Sequence, residues 1–139
     1  MMIRAAVFAT CVVLGSAAMA ADTPSVKGAA VYIIAPKNGD TVGTKVTVQF
    51  GLKGMGIAPA GVEMEGTGHH HLVVDKDTPA LNDYLPVGDA QVLHFGKGQT
   101  ETELTLAPGR HTLQLVFGDK DHKPHTPAVV SEKVTITVK

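Results

Sequence analysis

The feature that most restricts this chain is a repeating period of two. In residues 44–52, Val46, Val48 and Phe50 fall on one side, and Lys45, Thr47 and Gln49 on the other. Successive side chains of an extended strand point to opposite faces, so this pattern describes a strand with one buried face. Residues 99–106 repeat it with Leu104 and Leu106 inward. Residues 110–117 place His111, Leu113, Leu115 and Phe117 on one face and Thr112, Gln114 and Val116 on the other. Residues 129–138 close the series with Val134, Ile136 and Val138 in phase. Residues 29–35, rich in β-branched side chains, and 69–75, apolar at their centre, are two further strand candidates. Val42 re-enters the sheet after the turn at Pro36–Asp40.

No segment after residue 20 shows a 3.6-residue repeat, and no longer repeat recurs. The 15 glycines and 8 prolines punctuate the strands. Residues 53–68 form a Gly-rich crossover too broken for a helix, and residues 76–92 form a loop. Six or seven short strands without helices predict an all-β fold, an immunoglobulin-like antiparallel β-sandwich of about seven strands. A small β-barrel is the alternative. The Cys-Trp-Cys marks of immunoglobulin domains are absent, so the expectation concerns architecture alone. Pro108-Gly109 between two alternating segments predicts a hairpin.

The first twenty residues follow a different logic. Arg4 gives a positive start, residues 5–14 are apolar except for Thr10, and Ala18-Met19-Ala20 has the small-x-small form of a processing site. This predicts a signal peptide over residues 1–20, cleaved near Ala20, and a periplasmic or secreted protein. The apolar run is too short to span a bilayer, so no transmembrane segment is expected in the mature chain. Residues 21–28 read as a flexible leader and 29–139 as a single β domain. Cleavage also removes Cys11, the only cysteine, leaving neither disulfide nor thiolate ligand. Formal net charge is −1, from 12 basic and 13 acidic residues, without the basic surface that nucleic acid requires.

The chemistry-bearing signal is histidine. All seven lie between His69 and His125. Strand geometry sends His69 and His71 of the triple to one face and His70 to the other. His122 and His125 stand three apart in a Pro-rich loop, and Asp119 and Asp121 flank them as oxygen ligands or as groups that orient the rings. His94 is placed to join. Neutral imidazoles without thiolate suit copper or zinc, so His69, His71, His94, His122, His125 and Asp119 form the candidate metal set. Met55 and Met64 are candidate thioether ligands or packing residues. His70, in phase with Leu72 and Val74, and His111, in phase with Leu113 and Leu115, read as structural.

Enzyme motifs are missing. Only Ser25 and Ser131 remain in the mature chain, both in poor settings for a nucleophile, and there is no H-E-x-x-H, phosphate loop or dinucleotide fingerprint. Glu63 and Glu65 read as solvated glutamates. Three functions follow: a copper- or zinc-binding module, a non-catalytic envelope domain that meets another protein and holds a metal-free histidine network, or a small-ligand binder lined by residues such as Tyr84 and Phe95.

The segments GMGIAPAG (54–61), GHHHLVVD (68–75), HFGKGQTETEL (94–104) and the long run from Pro108 to Val138 resemble a family of small exported bacterial domains, domain of unknown function 4399. The resemblance extends from about Val31 to Val138. Its motif positions fall on Gly96, His69, His70, His71, Asp75, His94, His111, Gly118, Asp119, His122 and His125, among others. It implies a stand-alone periplasmic or secreted domain and carries no activity with it.

Overall fold

The computed structural model describes residues 21–139, so the expected signal peptide lies outside the described residues. Nine strands follow in order: β1 (Ala30–Ala35), β2 (Thr41–Val42), β3 (Lys45–Lys53), β4 (Gly56–Ile57), β5 (Thr67–Val74), β6 (Val92–His94), β7 (Glu101–Thr105), β8 (Gly109–Gly118) and β9 (Val134–Val138). Seven of them have at least three residues. One sheet has the order β1-β3-β7, and the other runs β2-β9-β8-β5-β4, with β6 also on β5. Setting β1-β3-β7 against β9-β8-β5 reproduces the A-B-E against G-F-C division of immunoglobulin-type sandwiches. The chain is an all-β sandwich of that kind. Among the described residues no helix is long and apolar enough to cross a membrane.

The alternating residues meet between the sheets. Val46, Val48 and Phe50 of β3 face Leu113, Leu115 and Phe117 of β8 and Ile136 and Val138 of β9 in one buried cluster. Each such side chain removed from water contributes about 1.5–3 kcal/mol before conformational entropy is counted. A smaller apolar cluster lies on the outer face of the larger sheet, where Val73, Val92 and Val116 are covered by Leu85 from the loop after β5. That cover buries the outer face of β5 at Val73, and the strand as a whole is buried along nearly its full length.

The predicted hairpin at Pro108-Gly109 does not form. β7 pairs with β3, whereas β8 pairs with β5 and β9, so this turn crosses between sheets. Leu106 donates its N–H to Thr44 O, which keeps the chain on the β3 side until the crossing. Alternation in both segments reports burial against one core, and two strands facing each other across a sandwich satisfy it as well as two neighbours do. β6 takes in the last residue of the expected 76–92 loop and the two that follow, pairing Val92, Leu93 and His94 with Val73, Leu72 and His71. β9 is shorter than the alternating run. The Ser131 hydroxyl accepts the Leu115 N–H at 2.8 Å, which interrupts the ladder before Val134. Residues 22–25, within the expected leader, bond to the loop after β8. Pro24 forms a parallel bridge with Thr126, and Ser25 N donates to Thr126 O at 3.1 Å.

Candidate metal centre

Strand β5 sorts its three histidines by face. His70 points inward with Leu72 and Val74 and lies against Phe50 and Phe117, at ring-centroid distances of 5.1 and 5.2 Å. It is structural, as its phase implies, and neither ring nitrogen finds a hydrogen-bond partner. His69 and His71 point outward and are fully buried, with their rings tilted by 43° at a centroid distance of 4.7 Å.

Two other elements bring imidazoles to the same point. β6 pairs His94 directly with His71. The loop after β8 delivers His122, whose φ of 67° lies in the left-handed region. A residue with a β-carbon adopts this conformation at a cost of roughly 1–2 kcal/mol. The turn that holds it is built by Asp119. Its backbone oxygen accepts the His122 N–H at 3.0 Å. Its Oδ1 accepts the N–H groups of Asp121 (2.9 Å) and Lys123 (3.0 Å), on either side of His122. Leu85 N donates to His122 O from the opposite loop at 2.8 Å.

His69, His71, His94 and His122 each offer one nitrogen, and these atoms lie within 4.8 Å of one another. His69 Nε2 stands 3.1 Å from His94 Nε2 and 3.1 Å from His122 Nδ1. Nitrogens bound to one ion at roughly 2.0–2.1 Å, at angles of 90–110°, stand about 2.8–3.4 Å apart. The two contacts of His69 Nε2, with His94 and with His122, therefore already have the separation that a shared metal imposes.

Glycine makes the room. A Cβ on Gly118 would lie 2.7 Å from His71 Cε1 and 3.1 Å from its Nδ1. A Cβ on Gly96 would lie 2.6 Å from His94 Nε2. Any larger residue at either position forces a ring out of the cluster.

Electrostatics keeps the lone pairs free. Burial holds the His69 imidazole down at about 4, assisted by His94 and His122. Burial, then the neighbouring His69, His94 and His122, take His71 to about 3. The Val116 backbone near His71 opposes the shift without reaching hydrogen-bond geometry. Burial and His122 lower His94 as well. Metal ligation requires neutral imidazole, and the same burial that lowers these three rings disfavours their protonated form.

The remaining expected ligands are elsewhere. His125 stacks on Phe117 at 5.6 Å and places Nε2 3.1 Å from Thr67 O, outside the four-histidine group. Asp119 spends its carboxylate on Thr23 and the two loop amides, so it orients His122 and stands outside the group. Met64 is exposed, and Met55 packs against the core. His111 sits at the rim of the sandwich, not in its centre. Its Nδ1 is 2.6 Å from Asp75 Oδ2 and its Nε2 is 2.7 Å from Ala107 O. The convergence of His94 on the triple comes from β6, the strand that alternation did not reveal.

The family model described as "Domain of unknown function (DUF4399)" matches residues 48–139, beginning within β3 instead of at Val31. All four clustered histidines lie inside that range. No curated protein matches the sequence. Among solved structures, the chain is similar to one described as "Structures of Clostridium thermocellum CbhA fibronectin(III)-like modules". Identity there is 17 %, covering 78 % of this chain and 95 % of that one, with a TM-score of 0.47.

Proposed function

The chain belongs to the DUF4399 family, whose description names no chemistry, and from its site we propose an exported module that binds copper or zinc through His69, His71, His94 and His122. One observation carries this reading: four imidazole nitrogens, from His69, His71, His94 and His122, within 4.8 Å of one another. Nitrogen-only donors favour Cu(II) over Zn(II) at equal availability, so copper is the preferred occupant. Export is supported by the apolar stretch and small-x-small site of residues 1–20. A periplasmic or secreted setting also explains a site assembled without thiolate, which an oxidising compartment would consume.

The alternative is an envelope domain with a metal-free histidine network, and the 3.1 Å contacts of His69 Nε2 also have hydrogen-bond length. His71 argues against it. It is fully buried with no hydrogen-bond partner at either nitrogen, and His69 Nδ1 is unpartnered too. A network evolved for hydrogen bonding leaves few such groups.

The test is titration of protein purified without a histidine tag, with Cu(II) and Zn(II), alongside metal analysis of the protein as isolated. One equivalent bound tightly, with copper displacing zinc, is the expected result. Absence of stoichiometric binding by either ion overturns the reading.

A further inference from the structure

Three of the four imidazoles stand on sheet strands, and one does not. His69 and His71 are set by the β5–β8 pairing and His94 by the β5–β6 pairing, whereas His122 depends on a loop in a strained conformation. That loop is gripped by the first residues of the described chain. Thr23 Oγ1 donates to Asp119 Oδ2 at 2.7 Å, across 96 positions of sequence. Thr126 N donates to Thr23 O at 2.9 Å, and Ser25 N donates to Thr126 O at 3.1 Å. The Ser25 hydroxyl donates to Pro127 O at 2.7 Å, and Lys123 Nζ pairs with Asp22. The grip therefore falls on both sides of His122.

We infer that residues 22–25 form a positioning strap, in which Thr23 holds the Asp119 carboxylate in the orientation that presents His122 to the metal. The inference rests on the metal-binding reading above. With Oδ2 held by Thr23, Oδ1 is aimed at the amides of Asp121 and Lys123, and those two bonds stabilise the left-handed backbone between them. Without the hydroxyl the carboxylate can rotate toward water. The loop then relaxes, and the cluster loses its fourth nitrogen while the three strand-borne rings stay in place. Partners that orient a ligand in this way change metal affinity by roughly 10- to 100-fold when removed. The strap also lies immediately after the expected processing site, so the same bonds tie the start of the mature chain to the site.

The test uses the full chain expressed for export and purified without a histidine tag. Cu(II) affinity, by competition with a chelator, and the copper electron paramagnetic resonance spectrum are compared for wild type, T23V, T23S and H122A. T23V should weaken Cu(II) binding by about tenfold and move the spectrum toward that of H122A. T23S should restore both, and T23V added to H122A should change neither. In the metal-free protein, T23V should speed hydrogen exchange at the Asp121 and Lys123 amides without slowing or speeding the β5 amides. Wild-type affinity in T23V, additivity with H122A, or unchanged exchange at both amides overturns the strap. A wild-type protein that binds no copper overturns the metal reading itself and the strap's role in it, a result separate from the other three.

Discussion

His69 and His70 are adjacent and chemically identical, yet they occupy different worlds. His70 lies in the core between Phe50 and Phe117, and His69 lies on the opposite face among three other imidazoles. Burial lowers both to about 4. Desolvation alone therefore does not make a ligand. What separates them is the company that each face supplies: aromatic side chains inside, and His94, His122 and two glycines outside. A strand's two-residue period converts one residue of sequence offset into this difference.

The largest effect expected is on metal binding, and it breaks the pair apart. H69A removes the nitrogen that touches both His94 and His122, and should weaken Cu(II) binding by roughly 100-fold or more. H70L should leave affinity within about threefold, because His70 stands on the other side of the sheet. Calorimetric titration of both variants checks this. Equal losses in the two would mean that the cluster is not the site.

G118A comes next. The added methyl meets the His71 ring at 2.7 Å, closer than carbon contacts allow. A crowded site of this kind costs about 1–3 kcal/mol, and His71 must turn away to relieve it. Urea unfolding of the metal-free protein should show the loss, and copper affinity should fall with it. G43A is the control, since nothing lies within 4 Å of a Cβ placed there.

H70L should act on stability in the opposite direction. Both His70 nitrogens are buried without partners, and replacing such a group with an apolar one of similar size raises stability by about 1 kcal/mol. The gain should grow in acid. The folded-state pKa of His70 lies below its ordinary value of 6.5, so unfolding takes up a proton below that pH. The associated stability is complete above about 6.5 and is lost as the pH falls toward about 4. Wild-type protein should therefore unfold more readily at pH 5 than at pH 7, and H70L should be less sensitive. Urea midpoints at the two pH values decide it.

What could be read beforehand follows the range of the forces involved. Alternation and β-branched or apolar content are local, so β3, β7 and β8 are legible from the first and β1 and β5 from the second, to within a residue or two at their ends. Alternation reports which face is buried but not which strand lies alongside, and for that reason the β7–β8 turn resembled a hairpin. The separation of His70 from His69 and His71 needed only pleat geometry. Bringing His94 and His122 to that face needed tertiary structure, because β6 has three residues and His122 depends on a backbone conformation unusual for its type. The strap was hidden for the same reason. Nothing near Thr23 in sequence signals a partner 96 residues away.

His111 supplies the smallest test and the sharpest contrast. Both of its nitrogens face acceptors, Asp75 Oδ2 and Ala107 O, whereas those of His70 face none. The hydrogen bond to Asp75, followed by that to Ala107, raises the His111 pKa. Here the folded state holds the proton more tightly than the unfolded chain does. The contribution is complete below about 6.5 and is lost as the pH rises through the raised folded value. A pair at the rim of the sandwich is worth on the order of 0.5 kcal/mol. H111Q should accordingly flatten the decline in melting temperature above neutral pH while leaving the acid limb unchanged. H70L should do the reverse. If the two substitutions altered the same limb, the division of these histidines into a rim ring with raised pKa and an interior ring with lowered pKa would fail.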